Sequence, residues 1–145
     1  ELGLLKTNAS DLPGALVWFK KAYDLDHGFE QARIDYAATL IRAKQGAIAL
    51  QLLTEGFGTA IPDNAILLQA YLDVGDYPSV IAIAKGRIDK KPTDPSLWVQ
   101  LGAAYLRAGQ RADSIAALQK AIDLNPAFKD QGTYYINEIK AGRNP

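Results

Sequence analysis

The stretch of sequence that decides the fold reads Trp98-Val-Gln-Leu101-Gly102-Ala-Ala-Tyr105. An earlier stretch, Asn64-Ala-Ile-Leu67-Leu68-Gln-Ala-Tyr71, aligns with it without a gap. Three pairs of punctuating residues share one interval of 34 residues: Tyr71/Tyr105, Gly75/Gly109 and Pro92/Pro126. Because this interval holds across both stretches and the segments that follow them, it indicates an internal repeat of the length typical of stacked helical arrays.

The spacing of apolar residues inside the repeat is helical. Residues 97, 101, 104 and 105 are apolar and recur at i, i+4, i+7 and i+8, which places them on one helix face. Asp94-Pro95 supplies a helix N-cap followed by proline at the first helical position. Gly75 and Gly109 stand where the first helix of each unit must end. No alternating strand pattern of useful length occurs, so the sequence predicts an all-α chain of helix pairs.

These residues resemble the tetratricopeptide repeat, whose pattern is W-x2-L-G-x2-Y, then A-x3-F, then A and P, over 34 residues. Residues 95–128 carry the pattern at the positions Trp98, Leu101, Gly102, Tyr105, Leu118, Ala121 and Pro126. Ser114 stands where the family usually has alanine. The resemblance implies a right-handed superhelical stack of antiparallel helix pairs, that is, a tetratricopeptide-like α-solenoid.

The repeat register predicts one domain over residues 1–145. It begins with a truncated repeat at 1–29, of which Leu2-Gly3 is the remnant of a first helix. A short repeat follows at 30–60, where Gly56-Phe-Gly58 replaces the end of the second helix. Full repeats span 61–94 and 95–128, and a capping helix covers 129–142. We expect the tail from residue 141 onward to fray.

The amino-acid composition argues against several classes of function. Lys+Arg and Asp+Glu number 16 each, so the formal net charge is zero, which argues against nucleic-acid or anionic-membrane binding through bulk charge. The balanced charge and the apolar inner face also disfavour RNA binding by a helical repeat. There are no cysteines and one histidine, His27, so we expect no disulfide, no zinc site and no cofactor. No apolar run approaches the ~20 residues of a membrane-spanning helix, so we expect no insertion of this segment into a membrane.

An enzymatic function is the least favoured class. No nucleophile–base pair, metal cluster or phosphate-binding loop is visible in the sequence. His27 occupies a turn between units, and Trp18 and Trp98 are interpreted as core residues. The Gly56-Phe-Gly58 segment is interpreted as a structural link, with Phe57 as an exposed anchor the less favoured alternative. We therefore expect a non-enzymatic, protein-binding or peptide-binding chain.

The resemblance also implies where a partner would bind, since the first helices of this family line a concave groove. The inward positions are Ile34, Ala38, Ile41 and Arg42 in the second unit, Ala65, Gln69, Leu72 and Asp73 in the third, and Val99, Ala103, Leu106 and Arg107 in the fourth. Most are apolar, and none is the Lys or Asn of the clamp by which some members hold a carboxylate. The hypothesis is an apolar or amphipathic segment oriented by Arg42, Asp73 and Arg107. The alternatives are residues that merely pack the inner wall, or a second copy of the chain that covers them in a homo-oligomer.

A second resemblance concerns the end of the chain. Ile139-Lys-Ala-Gly-Arg-Asn-Pro145 is similar to the soluble tails that follow tetratricopeptide-like units in bacterial O-antigen ligase or polymerase-like membrane proteins. It implies an accessory or assembly domain of a larger bacterial cell-envelope protein. The chain begins at Glu1 and holds no methionine, which suggests a processed chain or a piece of a longer one. A cytoplasmic and a periplasmic location both stay open.

Overall fold

A computed structural model describes residues 11–145, and this part of the chain is all-α. The Leu2-Gly3 pair lies outside the described residues. Eight α-helices follow one another: α1 (Leu12–Leu25), α2 (Glu30–Arg42), α3 (Gly46–Phe57), α4 (Ala65–Val74), α5 (Tyr77–Lys90), α6 (Pro95–Arg107), α7 (Arg111–Leu124) and, after a 3-10 turn (Pro126–Phe128), α8 (Lys129–Lys140).

Three of the described α-helices, α1, α4 and α6, start with a side-chain cap, as the sequence predicts for Asp94. The Asp94 carboxylate accepts a 2.9 Å hydrogen bond from the Ser96 amide, and Pro95 begins α6. Hydrogen bonds from Ser96 lower the pKa of Asp94 below its ordinary value. Asp11 caps α1 in the same way, because its carboxylate accepts from the Gly14 amide at 2.9 Å. These caps satisfy amide groups that have no partner within the helix.

Several of the described helices end at left-handed glycines. Gly75 follows α4 with a φ of 73°, and Gly109 follows α6 with a φ of 77°, which confirms the sequence prediction at both positions. Gly58 ends α3 in the same conformation, with a φ of 68°. The prediction for 56–58 is wrong in one respect, because α3 continues through Gly56 and Phe57 and only Gly58 interrupts it. Phe57 is half-buried in this last turn.

The contacts divide the chain into two compact units, and the first runs to Asp76. Within the described part of this unit, α2 is central and packs against α1, α3 and α4. Its core mixes alanines with leucines, which lets the helices approach closely while the larger side chains fill the space between them. The residues with 0–1% exposure are Ala15, Ala37, Ala38, Leu40, Ala49, Leu53, Leu67 and Ala70, together with Thr39.

The second unit is Tyr77–Pro145. The α6–α7 hairpin forms its centre, with α5 packed on α6 and α8 packed on α7. Its buried residues include Leu101, Ala104, Ala117, Leu118, Ala121, Ile122, Ile136 and Ile139. The division at Asp76 falls inside the predicted 61–94 repeat, so the single-domain boundary and the boundaries of that repeat stay predictions.

Candidate partner-binding surface

An apolar cavity of about 220 Å³ lies between α6 and α8 in the second unit. We call it the α6–α8 pocket. Three of the four α6 residues predicted to face a partner line it, namely Val99, Ala103 and Leu106. The rest of its wall is Gly102 from α6, Ser114 and Leu118 from α7, Tyr135 and Ile139 from α8, and Pro145 from the tail. The structure therefore brings the predicted α6 residues together with residues from three other segments.

The floor of the pocket is a close contact between α6 and α7. Ser114 is fully buried, and its hydroxyl donates a 2.7 Å hydrogen bond to the Gly102 carbonyl. A Cβ at position 102 would lie 3.2 Å from Cγ of Leu118, so a glycine gives the spacing that this contact requires. Because the Ser114 hydroxyl is already bonded, it leaves the floor of the pocket effectively apolar.

The outer wall is held by packing of α8 on α7. Ile136 and Ile139 of α8 form one buried cluster with Leu118 and Ile122 of α7. Gly132 allows this approach, since a Cβ there would lie 2.7 Å from Cγ1 of Ile122. The pocket-facing residues Val99, Leu106 and Tyr135 pack on the edge of the same cluster and are half-buried. The pocket is thus an opening at the edge of the core.

The sequence predicts a capping helix over 129–142, and Tyr135 and Ile139 of this helix are not among the predicted partner-binding residues. They pack at the buried cluster of α7 and α8, and they also line the pocket. Their spacing of four residues predicts a shared helix face. That spacing does not identify the neighbour, which depends on how α8 crosses α6 and α7.

Three residues of α2 predicted to face a partner are buried by the chain itself. Ile34 is 4% exposed, Ala38 1% and Ile41 4%. Their prediction as groove residues is therefore corrected, since a partner cannot contact side chains that the protein already covers. These side chains are buried because α2 packs against three other helices of its unit.

The polar residues predicted in the first unit form a network of their own. Nε of Arg42 lies 2.8 Å from a carboxylate oxygen of Asp73, and the Gln69 amide donates to the other oxygen at 2.7 Å. The hydrogen bonds from Gln69 and from Arg42 lower the pKa of Asp73. This network joins α2 to α4 on the surface, so the charges at 42 and 73 neutralise each other. Leu72 beside them is half-buried, and Ala65 is exposed.

Arg107 differs from Arg42, because its side chain makes no hydrogen bond or ion pair with the described residues. It is exposed in the last turn of α6, next to Leu106 of the pocket wall. An exposed guanidinium beside an apolar wall is free to bind an acidic group of another molecule.

A second cavity of about 370 Å³ opens among α5, α6 and α7. Trp98 and Tyr105 line it together with Lys85, Asp89 and Asp113. The Trp98 ring nitrogen donates a 2.9 Å hydrogen bond to the Pro92 carbonyl, and Nζ of Lys85 lies 5.7 Å from the centre of the Tyr105 ring. Since the Trp98 ring nitrogen and the Lys85 ammonium already contact groups of the chain, we interpret this cavity as structural.

Trp18 and His27 lie on the surface of the first unit. The prediction of Trp18 as a core residue is wrong: it is 39% exposed, and Nζ of Lys21 lies 5.0 Å from its ring centre. His27 occupies the turn between α1 and α2, as expected, with its ring 4.5 Å from that of Tyr23. Its carbonyl accepts a 2.6 Å hydrogen bond from the Arg33 guanidinium.

Over residues 11–145, no group of three or more histidine, cysteine or acidic side chains is arranged to hold a metal ion. Within the same range, no helix is both long enough and apolar enough to cross a membrane.

Comparison with known proteins supports the repeat assignment. The family model of the tetratricopeptide repeat matches residues 95–128, the helix pair α6–α7 with the 3-10 turn. No curated protein matches the chain in sequence. The similarity to bacterial O-antigen ligase tails stays a prediction.

Several solved structures of MamA are similar in fold to this chain. One crystal structure of MamA shares 18% identity with a TM-score of 0.55, and the match covers 97% of this chain and 94% of that chain. The structure of MamA from residue 41 to its end, from Desulfovibrio magneticus RS-1, shares 16% identity with a TM-score of 0.55 and coverage of 99% and 93%. At such identities the likeness shows the fold alone. Residues 95–128 therefore form a tetratricopeptide repeat, within a chain whose fold is all-α and of the tetratricopeptide type.

Proposed function

We propose that this protein is an interaction scaffold that binds an apolar or amphipathic segment of another protein, and that the α6–α8 pocket is the main contact. The observation that carries the proposal is the apolar wall of Val99, Ala103 and Leu106, completed by Tyr135 and Ile139. A partly exposed apolar wall of this kind is typical of sites that bind peptides.

The size of the pocket favours side chains over a small-molecule ligand. Its volume of about 220 Å³ lies below the ~300–1,000 Å³ of most small-molecule pockets. A pocket of this size suits one or two apolar side chains of a peptide. Arg107 is exposed and follows Leu106 in α6, and its guanidinium has no partner among the described residues. We therefore expect the partner to carry an acidic residue that pairs with it.

The surface residues Arg42, Gln69, Leu72 and Asp73 of the first unit are proposed as a separate, weaker contact. The charges of Arg42 and Asp73 compensate each other, with Nε of Arg42 2.8 Å from the Asp73 carboxylate. The four residues therefore offer a polar surface with one apolar side chain. The buried residues Ile34, Ala38 and Ile41 take no part.

The test is a single charge placed in the pocket. Ala103 is exposed and lines the pocket, so Ala103→Asp introduces a carboxylate there without filling the core. Position 103 also lies four residues before Arg107 on α6, so the new carboxylate competes for the guanidinium that the proposal assigns to the partner. Ala82 is exposed in the interior of α5 and lines neither cavity, so Ala82→Asp is the matched control. Proteins captured by the unmodified chain are identified, purified and titrated against all three chains.

We expect Ala103→Asp to weaken binding by at least about tenfold, because a carboxylate in the apolar wall must lose water when a partner binds and because it draws Arg107 away from the partner's acidic group. Ala82→Asp should bind like the unmodified chain. Equal affinities of all three chains would show that the partner binds elsewhere. Arg107→Glu tests the proposed contact with an acidic group of the partner. This substitution should weaken binding and make the affinity less dependent on salt concentration.

Self-association is a second candidate, favoured by a different surface. Val17 is 53% exposed, Trp18 39% and Leu25 88%, all on α1. With about 100° of rotation per residue, positions 17, 18 and 25 fall within an arc of about 100° and so share one side of α1. We expect light scattering over a dilution series to report a dimer if this face pairs, and Trp18→Ala to shift it to monomer. A monomer at every concentration would exclude this candidate.

A further inference from the structure

The tail at 141–145 folds back over the start of α7 and is hydrogen-bonded there. Arg111, the first residue of α7, donates hydrogen bonds to the carbonyls of Gly142 at 3.0 Å and Arg143 at 3.1 Å. It also donates to the side-chain oxygen of Asn144 at 2.9 Å and to the carbonyl of Ile139 at 3.3 Å. One guanidinium thus holds the end of α8 and most of the tail.

A second clamp acts on the same segment. The Arg143 guanidinium binds the Glu138 carboxylate through two hydrogen bonds of 2.6 Å, one to each oxygen. This pairing lowers the pKa of Glu138. Both clamps direct the chain toward the pocket, where Pro145 forms part of the wall.

The geometry follows from the order of the helices. Leu106 is in the last turn of α6, and Arg111 begins α7 after a short turn at Gly109. The end of α8 meets Arg111, so the tail emerges beside the Leu106 end of the pocket. Carbonyls at a helix C-terminus carry partial negative charge, which an arginine satisfies.

We propose that residues 141–145 are an intrachain gate that covers the Leu106 end of the α6–α8 pocket, and that Arg111 is its latch. All five tail residues are exposed, so their hydrogen bonds compete with water and contribute little net stability. The gate is therefore expected to open without unfolding the helices. A partner that binds the pocket would compete with this tail, a consequence that rests on the proposed function; the gate itself does not.

A purely structural role for Arg111 is the alternative, in which it only caps α8. The two roles differ in their effect on how easily a reagent reaches the pocket. Loss of a cap changes stability, whereas loss of a gate exposes the pocket to reagents in a chain that keeps its fold.

The absence of cysteine from the sequence permits a direct test of access. Leu106→Cys places a thiol in the half-buried pocket wall, and Ala116→Cys places a control thiol on the exposed side of α7 in the other cavity. Each is combined with Arg111→Ala and, separately, with removal of residues 141–145. Alkylation by iodoacetamide, which is uncharged, is followed at several pH values so that rates are compared for the thiolate.

We expect both gate variants to speed alkylation at position 106 by about tenfold, the ratio for a closing free energy of about 1.4 kcal/mol. The rate at position 116 should not change, and circular dichroism should show the same helix content. Unchanged rates at position 106 in both variants would overturn the gate. No partner enters this experiment, so its outcome is independent of the binding test above.

Discussion

The hydroxyl of Ser114 donates a 2.7 Å hydrogen bond to the main-chain carbonyl of Gly102, and this bond joins the two helices of the repeat at 95–128. Ser114 is fully buried, and Gly102 lies so close to Leu118 that a Cβ at 102 would be 3.2 Å from Cγ of that leucine. The serine at a position that usually holds alanine is thus a structural contact under the α6–α8 pocket.

Ser114→Ala removes this bond and leaves a side chain that fits the site. We expect the free energy of unfolding to fall by about 1 kcal/mol, because the lost hydrogen bond is buried. Urea unfolding followed by circular dichroism measures it. Ser96→Ala is the comparison at an exposed serine, whose hydroxyl donates a 2.7 Å hydrogen bond to Asp94 on the surface. A loss no greater than that of Ser96→Ala would show that burial adds nothing to the Ser114 bond.

Gly132 and Gly86 form a matched pair of helical glycines. A Cβ at 132 would lie 2.7–2.9 Å from Ile122 and Phe128, whereas a Cβ at 86 meets nothing within 4 Å. We expect Gly132→Ala to destabilise by about 1–3 kcal/mol through overpacking. Gly86→Ala should stabilise by about 0.5–1 kcal/mol, since alanine loses less backbone entropy in a helix. Thermal unfolding of the two variants should move the midpoint in opposite directions.

Gly56 makes room for Arg33. A Cβ at 56 would overlap the Arg33 side chain, which donates hydrogen bonds to the carbonyls of His27 at 2.6 Å and Leu52 at 3.2 Å. The same guanidinium lies 5.3 Å from the centre of the Tyr23 ring. We expect Gly56→Ala to displace Arg33 and to cost about 1 kcal/mol despite the better helix propensity of alanine.

The Gly56 prediction is checked with a double-mutant cycle in urea unfolding. If Arg33 is the reason for the cost, Gly56→Ala should be stabilising or neutral in an Arg33→Ala background. The same loss in both backgrounds would contradict the explanation.

The pairing of Arg42 with Asp73 predicts a dependence of stability on pH. Hydrogen bonds from Gln69 and Arg42 lower the folded-state pKa of Asp73 below its ordinary value of 3.8. The stabilisation is therefore present above that ordinary value and is lost as the pH falls through the lowered pKa. Asp73 is 39% exposed, so we expect Asp73→Asn to cost only about 0.2–1 kcal/mol at pH 7.

The check for Asp73 is urea unfolding of both chains at pH 7 and again in acid, below the lowered pKa. The difference between them should disappear in acid and shrink in high salt. A difference that persists in acid would mean that Asp73 stabilises the fold by something other than its charge.

The repeat was readable from the sequence because its signals are local. The cap at Asp94, the left-handed glycines at 75 and 109 and the helical spacing around Leu101 each depend on a few neighbouring residues. Local backbone preferences and one 34-residue interval were enough to predict α6 and α7 and the all-α class.

The candidate site was predictable only in part. Val99, Ala103 and Leu106 were found from their register on a helix face. The same register predicts a free surface for Ile34, Ala38 and Ile41, whereas the structure buries them at 1–4% exposure. A register identifies which residues share a face, but the packing of distant segments decides whether that face is covered.

The sequence by itself determined the helices, their caps and the type of repeat, since these follow from residues close together along the chain. Only the tertiary structure decided that α8 completes the pocket with Tyr135 and Ile139. It also decided that Arg111 holds a tail lying about thirty residues further along the chain. Contacts between such distant residues depend on the crossing of packed helices, which no local pattern specifies.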